Sequence, residues 1–358
     1  MAVIVFYTHA PAQNLNKIEF YKQDIDALKA LGHEVVVCTK LREIPAKFDA
    51  MFIWWWTRAL LPVLLCRILK RPSIITGTFD FRFPDTFRGT DYFRRPFWQR
   101  LLIRLAVRSC SLNLFVNKLE LEQCKSHFGL QNVGYMPHCV PDDYLQGPSQ
   151  NKTKALFNIA WSGKDNLIRK GIPELLRAIR TLKDREVKVD LFLAGLEGDG
   201  RPSLLESIRQ LGLEEEVHYL GAISREEKIK MLREIEVYVQ PSHYEGFGVA
   251  ILEAMGCGAC VIVCDVGAVK EVVADSGVYV SPSNPEELAR TIERVLRDDL
   301  LRSEMQMRAV SRASSEFTFG KKVERLGAFL QSLHIEQQVR VTPGAPMSQA
   351  VRVKSSSI

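Results

Sequence analysis

Residues 241–258 read PSHYEGFGVAILEAMGCG, and the change of pattern inside this stretch decides how the chain folds. Upstream, VYVQPS is a short β-branched run that stops at Gln240–Pro241, as a strand would. Downstream, VAILEAM is an apolar run that reads as a buried helix. Strand, glycine-containing loop and helix form the repeating unit of a parallel sheet. A helix start offers unpaired backbone N–H groups and a partial positive charge. Gly246 and Gly248 let a ligand come close to that backbone. The loop is therefore expected to receive an anion, most simply a phosphate. Glu245 stands at its mouth and Glu253 lies about 12 Å further along the helix, at 1.5 Å per residue. Carboxylates so far apart cannot share a proton, but they can grip hydroxyls at the two ends of an elongated ligand. As isolated acids they would be ordinary helix-start and helix-surface residues. Glu253, however, sits in an apolar run where a solvated glutamate is unexpected.

The same unit recurs in both directions. Toward the N-terminus, AVIVFY, HEVVVCT, FDAMFIWWW, PSIITG, SLNLFVN and VGYMPHCV read as strands. NKIEFYKQDIDALKALG and PFWQRLLIRLAVRSC read as helices between them. After a polar, Pro/Gly-containing linker at 141–154 the alternation restarts with ALFNIAWSG and runs to CVIVCDVG. Two α/β halves in 358 residues imply two domains facing a cleft, with ligands at the carboxyl ends of the strands. The expected division is 1–150, 151–316, a C-terminal helix 317–335 that returns to complete the first domain, and a flexible tail 336–358.

Charge is uneven. Residues 1–150 hold 19 Lys and Arg against 13 Asp and Glu, whereas the remainder holds 29 of each. The N-terminus reads as a first buried strand rather than a secretory leader, and ALLPVLLC at 59–66 is too short to span a bilayer. Eight cysteines without paired spacing suit a reducing compartment. Cys257 and Cys260 have CxxC spacing, but no second pair or histidine set follows. They are expected to pack rather than bind metal, with a redox pair as the other reading.

A second loop, SGKDNLIRKG, follows the strand ALFNIAW and carries Gly163, Lys164, Arg169, Lys170 and Gly171. With the 241–273 stretch, with VHYLGAISREEKIKML and with DSGVYVSPSNPEELARTIERVL, it resembles the retaining glycosyltransferases of family 4. The resemblance covers about 155–330 and extends to the first half in outline. It implies the α/β GT-B architecture, two Rossmann-like domains across a cleft. It also implies hexose transfer (the 2.4.1 class) from a nucleotide-diphosphate sugar to a glycan or lipid-linked acceptor, in polysaccharide or glycolipid synthesis, without a metal or other cofactor. Carried onto this sequence, Glu245 would hold donor-sugar hydroxyls and Glu253 the ribose hydroxyls. Lys164 and Lys170 would neutralise the diphosphate, beside Gly163. Gly246 and the backbone of Phe247, Gly248 and Val249 would bind sugar and phosphate. Gly221, Ala222 and Ile223 would follow the base. The sequence departs from the family's pattern in having lysine at 164 where arginine is usual. It also has THAPAQNLNK where a Gly-Gly loop is usual, and Phe79-Asp80 where a His-Asp pair is usual. Asp80 and His138 are the acceptor-side candidates.

Arg100, Arg104 and Arg108 recur every four residues along one predicted helix, with Arg94, Arg95, Phe93, Phe97 and Trp98 nearby. This predicts an anionic surface partner, either membrane lipid or a lipid-phosphate-linked acceptor, against the plain alternative of a solvated face. No motif accompanies the charge that would direct it to nucleic acid. The expected location is cytoplasmic, peripheral on the inner membrane face. Trp54–Trp56 are either core or a lip of the acceptor cleft. Two rival functions remain open at this point: an epimerase or hydrolase of nucleotide sugars on the same plan, and a non-catalytic binding protein.

Overall fold

Short β-branched runs that must be buried on both faces have one economical arrangement, a parallel sheet covered by helices on either side. The computed structural model, which describes residues 1–11, 15, 18–85, 89–149 and 152–335, contains two of them. The first is built from β1 (Val3–Tyr7), α1 (Glu19–Ala30), β2 (Glu34–Cys38), β3 (Ala50–Trp54), α2 (Leu60–Ile68), β4 (Ser73–Gly77), α3 (Phe97–Ser109), β5 (Leu112–Phe115), α4 (Lys118–Phe128) and β6 (Val133–Tyr135). The second comprises β7 (Thr153–Ile159), α5 (Lys164–Arg169), α6 (Ile172–Asp184), β8 (Asp190–Ala194), α7 (Arg201–Gln210), β9 (Val217–Gly221), α8 (Arg225–Glu234), β10 (Ile235–Gln240), α9 (Val249–Gly256), β11 (Cys260–Cys264), α10 (Val269–Val273), β12 (Val278–Val280), α11 (Pro285–Arg297) and α12 (Asp299–Glu316). Finally, α13 (Phe319–Ser332) closes the described chain.

Both sheets have six strands, all parallel, in the orders β2-β1-β3-β4-β5-β6 and β12-β11-β10-β7-β8-β9. The architecture is the expected α/β GT-B pair of Rossmann-like sheets facing a cleft. Strand order reverses between β1 and β3 in one sheet and between β7 and β10 in the other. Those are the switch points where such sheets take ligands. Every residue of β3 and of β11 is buried. Each sheet carries a hydrophobic core on both faces.

Several local readings change. ALLPVLLC is helix α2, with Pro62 tolerated in its first turn. The basic loop after β7 contains a short helix, α5, and α4 follows β5 directly. The stretch expected to link the halves is tightly packed where it is described. Tyr144 is fully buried there, and Asp143 is ion-paired to Arg225 at 2.8 Å. The chain then returns to the first sheet: Val140 N–H donates to the Phe317 carbonyl at 2.7 Å, and Leu326 and Leu330 of α13 are buried in that sheet's core. The expected tail, 336–358, lies outside the described residues, as do residues 12–14, 16 and 17 of the loop that stands for the family's Gly-Gly turn. All eight cysteines are free and buried. Burial pushes the Cys257 and Cys260 thiols up to about 12, which removes the thiolate a redox pair needs. Among the described residues no helix is long and apolar enough to cross a membrane.

Candidate active site

A cleft of about 1180 Å³ separates the carboxyl ends of the two sheets, and the loops after β7 and β10 form one of its walls. Glycines set the shape of that wall. Gly248 caps α9 at φ 94°, a left-handed conformation, and offers no side chain to the first-turn N–H groups. A Cβ on Gly171 (φ 67°) would lie 2.0 Å from the Pro241 carbonyl oxygen. Only glycine therefore allows the segment carrying Lys170 to lie against the β10–α9 loop. A Cβ on Gly246 would lie 2.5 Å from Cγ2 of Thr78, which belongs to the first domain. That glycine serves the approach of the two domains as much as the approach of a ligand.

Glu245 sits at the centre. It is 4% exposed and accepts from Lys170 Nζ at 2.7 Å, Gln240 Nε2 at 2.8 Å and Ser242 Oγ at 2.9 Å, all on Oε1. Arg169 lies 3.3 Å from Oε2 and also donates to the Tyr244 carbonyl. Burial alone would raise this carboxyl, but Lys170 and Arg169 outweigh it and hold the pKa at about 2. Burial draws the Lys170 ammonium below the usual lysine range, against the opposing pull of Glu245. Two cations and an uncapped helix start thus face one carboxylate, which leaves a net positive wall beside Phe247, Gly248 and Val249.

Lys164, expected as the second cation, is displaced. It opens α5 with an exposed side chain and is absent from the cleft lining, while its N–H donates to Asp199 at 3.0 Å. The helical turn of α5 swings Lys164 outward and brings Arg169 inward. Gly163 and Gly221 also lie off the lining, whereas Ala222 and Ile223 line it. Glu253 is buried and accepts from Lys228 Nζ at 2.8 Å. Lys228 and Arg225, three residues apart on α8, share one face. Arg225 reaches across to Glu19 of α1 at 2.9 Å, so this end of the cleft is closed by an ion pair between the domains.

The first domain contributes a buried carboxylate that sequence reasoning missed. Glu120, in the first turn of α4, accepts from the N–H groups of Phe79 (2.8 Å) and Asp80 (2.7 Å) and from the Tyr244 hydroxyl (3.0 Å). Asn117 caps α4 and donates from Nδ2 to the Gly246 carbonyl at 2.7 Å. The two residues fix the β10–α9 loop to the first domain. An Asn-x-x-Glu helix start is legible in sequence as a capping box, but its second use is not. Asp80 lines the cleft at φ 55°. Burial and then the Glu120 carboxylate raise its pKa to about 7. His138 also lines the cleft; its ring lies parallel to Trp54 (centroids 6.2 Å, 7°) and edge-on to Phe247 (5.0 Å). Burial holds it well below the usual histidine range, so it is neutral there. The tryptophans divide: Trp54 and Trp56 are buried, while Trp55 is half-buried at the cleft.

The basic face of α3 also changes. Arg108 donates to the Phe128 carbonyl at 2.9 and 3.1 Å and so caps the end of α4. Arg100 is half-buried, and Arg94 and Arg95 bond back to the carbonyls of Gly89 and Thr90. The outward surface of α3 is apolar as well as basic, with Phe97, Trp98, Leu101, Leu102 and Leu105 exposed alongside Arg104 and Arg108. The neighbouring α2 exposes Leu61, Leu64 and Ile68.

Residues 162–313 match the family described as "Glycosyl transferases group 1". The chain is 29% identical over 310 residues to the alpha-D-kanosaminyltransferase of Streptomyces kanamyceticus, covering 82% of this chain and 78% of that one. It is 31% identical over 163 residues to the O-antigen chain mannosyltransferase B of Escherichia coli, covering 44% and 43%. Among its curated relatives the chain spans as little as 33% of one length. In three dimensions it is similar to Anabaena HepE, solved with UDP and glucose, at TM-score 0.73 and 18% identity over 93% of this chain and 100% of that one.

Proposed function

We propose, from the premise that residues 162–313 belong to the group 1 glycosyltransferases, that the protein is a retaining glycosyltransferase using a nucleotide-diphosphate hexose. The observation that carries this reading is the buried Lys170–Glu245–Arg169 cluster beside the uncapped start of α9. Its net positive charge in a low-dielectric cleft suits a diphosphate, whose charge grows as the sugar–phosphate bond breaks. Preorganised cations aimed at developing charge usually supply the largest catalytic effect. In this reading Glu245 orients both cations and meets donor-sugar hydroxyls, and Glu253, beside Lys228, meets the ribose. The phosphate oxygen that departs takes the acceptor proton on the same face, which gives retention. Arg169 and Lys170 serve as the counter-charge, so no metal is invoked. HepE, solved with UDP, supports a nucleotide donor. The acceptor is a glycan or lipid-linked glycan met at the inner face of an anionic membrane, a reading supported by the apolar, arginine-flanked surface of α2 and α3.

A thermal-shift screen against nucleoside diphosphates tests the core of the proposal. At a hundred times its dissociation constant the right nucleotide adds about 2.7 kcal/mol of stability. A chain stabilised by none of them would not be a nucleotide-sugar enzyme.

A further inference from the structure

The wall opposite the cations is aromatic, and one residue on it is held in an unusual backbone conformation. Trp55 follows β3 at the switch point of the first sheet, with φ 79° and ψ 122°. A bulky side chain leaves the ordinary regions at a cost, and keeps such a conformation only where its surroundings determine it. Here they do. Trp55 Nε1–H donates to the Tyr21 hydroxyl at 2.7 Å. Phe20 meets the indole edge-on at 6.1 Å between centroids, and Trp54 meets it at 5.4 Å. Gly77, at φ 132°, clears the space beneath: a Cβ there would lie 3.3 Å from Cε3 of Trp55. The next residue, Thr78, lines the cleft and abuts Gly246 of the donor-side loop. The indole therefore lines the cleft near the seam where the two domains meet, and Thr78 and Asp80 of the same domain also line it.

We propose that Trp55 is the stacking platform of the acceptor site and that it takes a pyranose ring by its C–H face. A sugar ring has an apolar face and a polar rim. A fixed aromatic surface in a cleft also lined by a hydroxyl and a carboxyl matches both, whereas a phosphate would gain nothing from the aromatic face and a bare alkyl chain would leave the polar groups unpaired. The inference rests on the glycosyltransferase reading and narrows its acceptor to a saccharide at the reacting end. Trp55 is a specificity-determining residue in this scheme; it neither donates nor accepts the transferred proton.

The test uses the full chain labelled with 5-fluorotryptophan, which carries five indoles. The Trp55 resonance is assigned through Trp55→Phe. Methyl α-glucopyranoside, α-mannopyranoside and α-galactopyranoside are titrated in the presence of UDP, with acyclic sorbitol as the control. A saturable shift at Trp55 from at least one pyranoside, and none from sorbitol, is the expected result. Silence at Trp55 toward all three, or an equal shift from sorbitol, overturns the proposal. Whether UDP itself raises the melting temperature is read separately and judges the glycosyltransferase assignment. As a second arm, Trp55→Gly suits the positive φ; its melting temperature should fall with the lost contacts to Tyr21, Phe20 and Trp54, while its UDP affinity should stay. Its calorimetric affinity for the responding pyranoside should fall about tenfold, as loss of one aromatic contact implies. Unchanged pyranoside affinity in that variant equally overturns the proposal.

Discussion

Lys170 and Arg169 reach Glu245 from adjacent positions in the chain, while Lys164 points to solvent. If diphosphate charge is greatest in the transition state, the two inward cations should govern turnover. Lys170→Ala and Arg169→Ala should each lower kcat by about 10²–10³ with a smaller effect on the donor KM, the scale seen when one preorganised donor is removed. Lys164→Ala should leave kcat within about twofold, in line with a solvated charge. Steady-state kinetics on the three variants decides the assignment; a large loss at Lys164 would reverse it. Asp80 offers a check on electrostatics. Its folded pKa of about 7 lies above the ordinary aspartate value, because burial and Glu120 oppose its charge. The sign follows from proton uptake: between the two pKa values the folded state holds more protons than the unfolded one, so Asp80's contribution is full below about pH 4 and is lost as pH rises to about 7. Asp80→Asn should therefore be more stable than wild type at pH 8 and equal to it near pH 4. Melting temperatures at pH 4, 6 and 8 give the answer, and a variant less stable at pH 8 contradicts it.

At the level of elements, α3 shows how one periodic pattern can serve more than one task. Arg100, Arg104 and Arg108 do recur at helical spacing, but Arg108 is committed to the Phe128 carbonyl and Arg100 is half-buried. If a bilayer is the partner, the surface it meets is the apolar one, Phe97, Trp98, Leu101 and Leu105, with Arg104, Arg108 and the basic end of α2 beside it. Tryptophan and leucine insert at a membrane interface, while each nearby arginine adds about 1 kcal/mol toward anionic lipid. The double change Trp98→Ser with Leu101→Ser should reduce co-sedimentation with anionic vesicles more than Arg104→Gln does. Arg108→Gln should instead lower the melting temperature, since it uncaps α4. Vesicle binding that is indifferent to Trp98 and Leu101 would remove the membrane from the account.

For the whole molecule, the cleft depends on a close approach of two separately built sheets. Gly246 touches Thr78, Asn117 bonds the Gly246 carbonyl, Tyr244 bonds Glu120, and Arg225 bonds Glu19. Gly246→Ala would drive a methyl into Thr78 Cγ2, and the second domain would have to move away from the first. Nucleotide binding, which uses the second domain, should survive, while transfer should fall by at least about tenfold, as misplacement of the reacting groups predicts. Adding Thr78→Ser removes Cγ2 and should restore part of the transfer rate. If the double variant is no better than the single one, the contact between the domains is not what Gly246 protects.

The alternation of strands and helices, the division into two sheets and the glycine loop between strand and helix at 241–258 were legible in the residues themselves. They follow from local rules: β-branched runs, helix starts, and glycine where the backbone must turn. That Glu245, Glu253 and Lys170 line the cleft was expected for the same reason, since each sits near such a start. The placement of Arg169 on the cleft and of Lys164 at the surface was not, because a single turn of helix inside a short loop decides which side chain faces inward. The roles of Glu120, Asn117 and Arg225 between the two domains were beyond local reading. Their partners lie 129 residues away for Asn117 and 206 for Arg225, and only the packing of one sheet against the other brings them together.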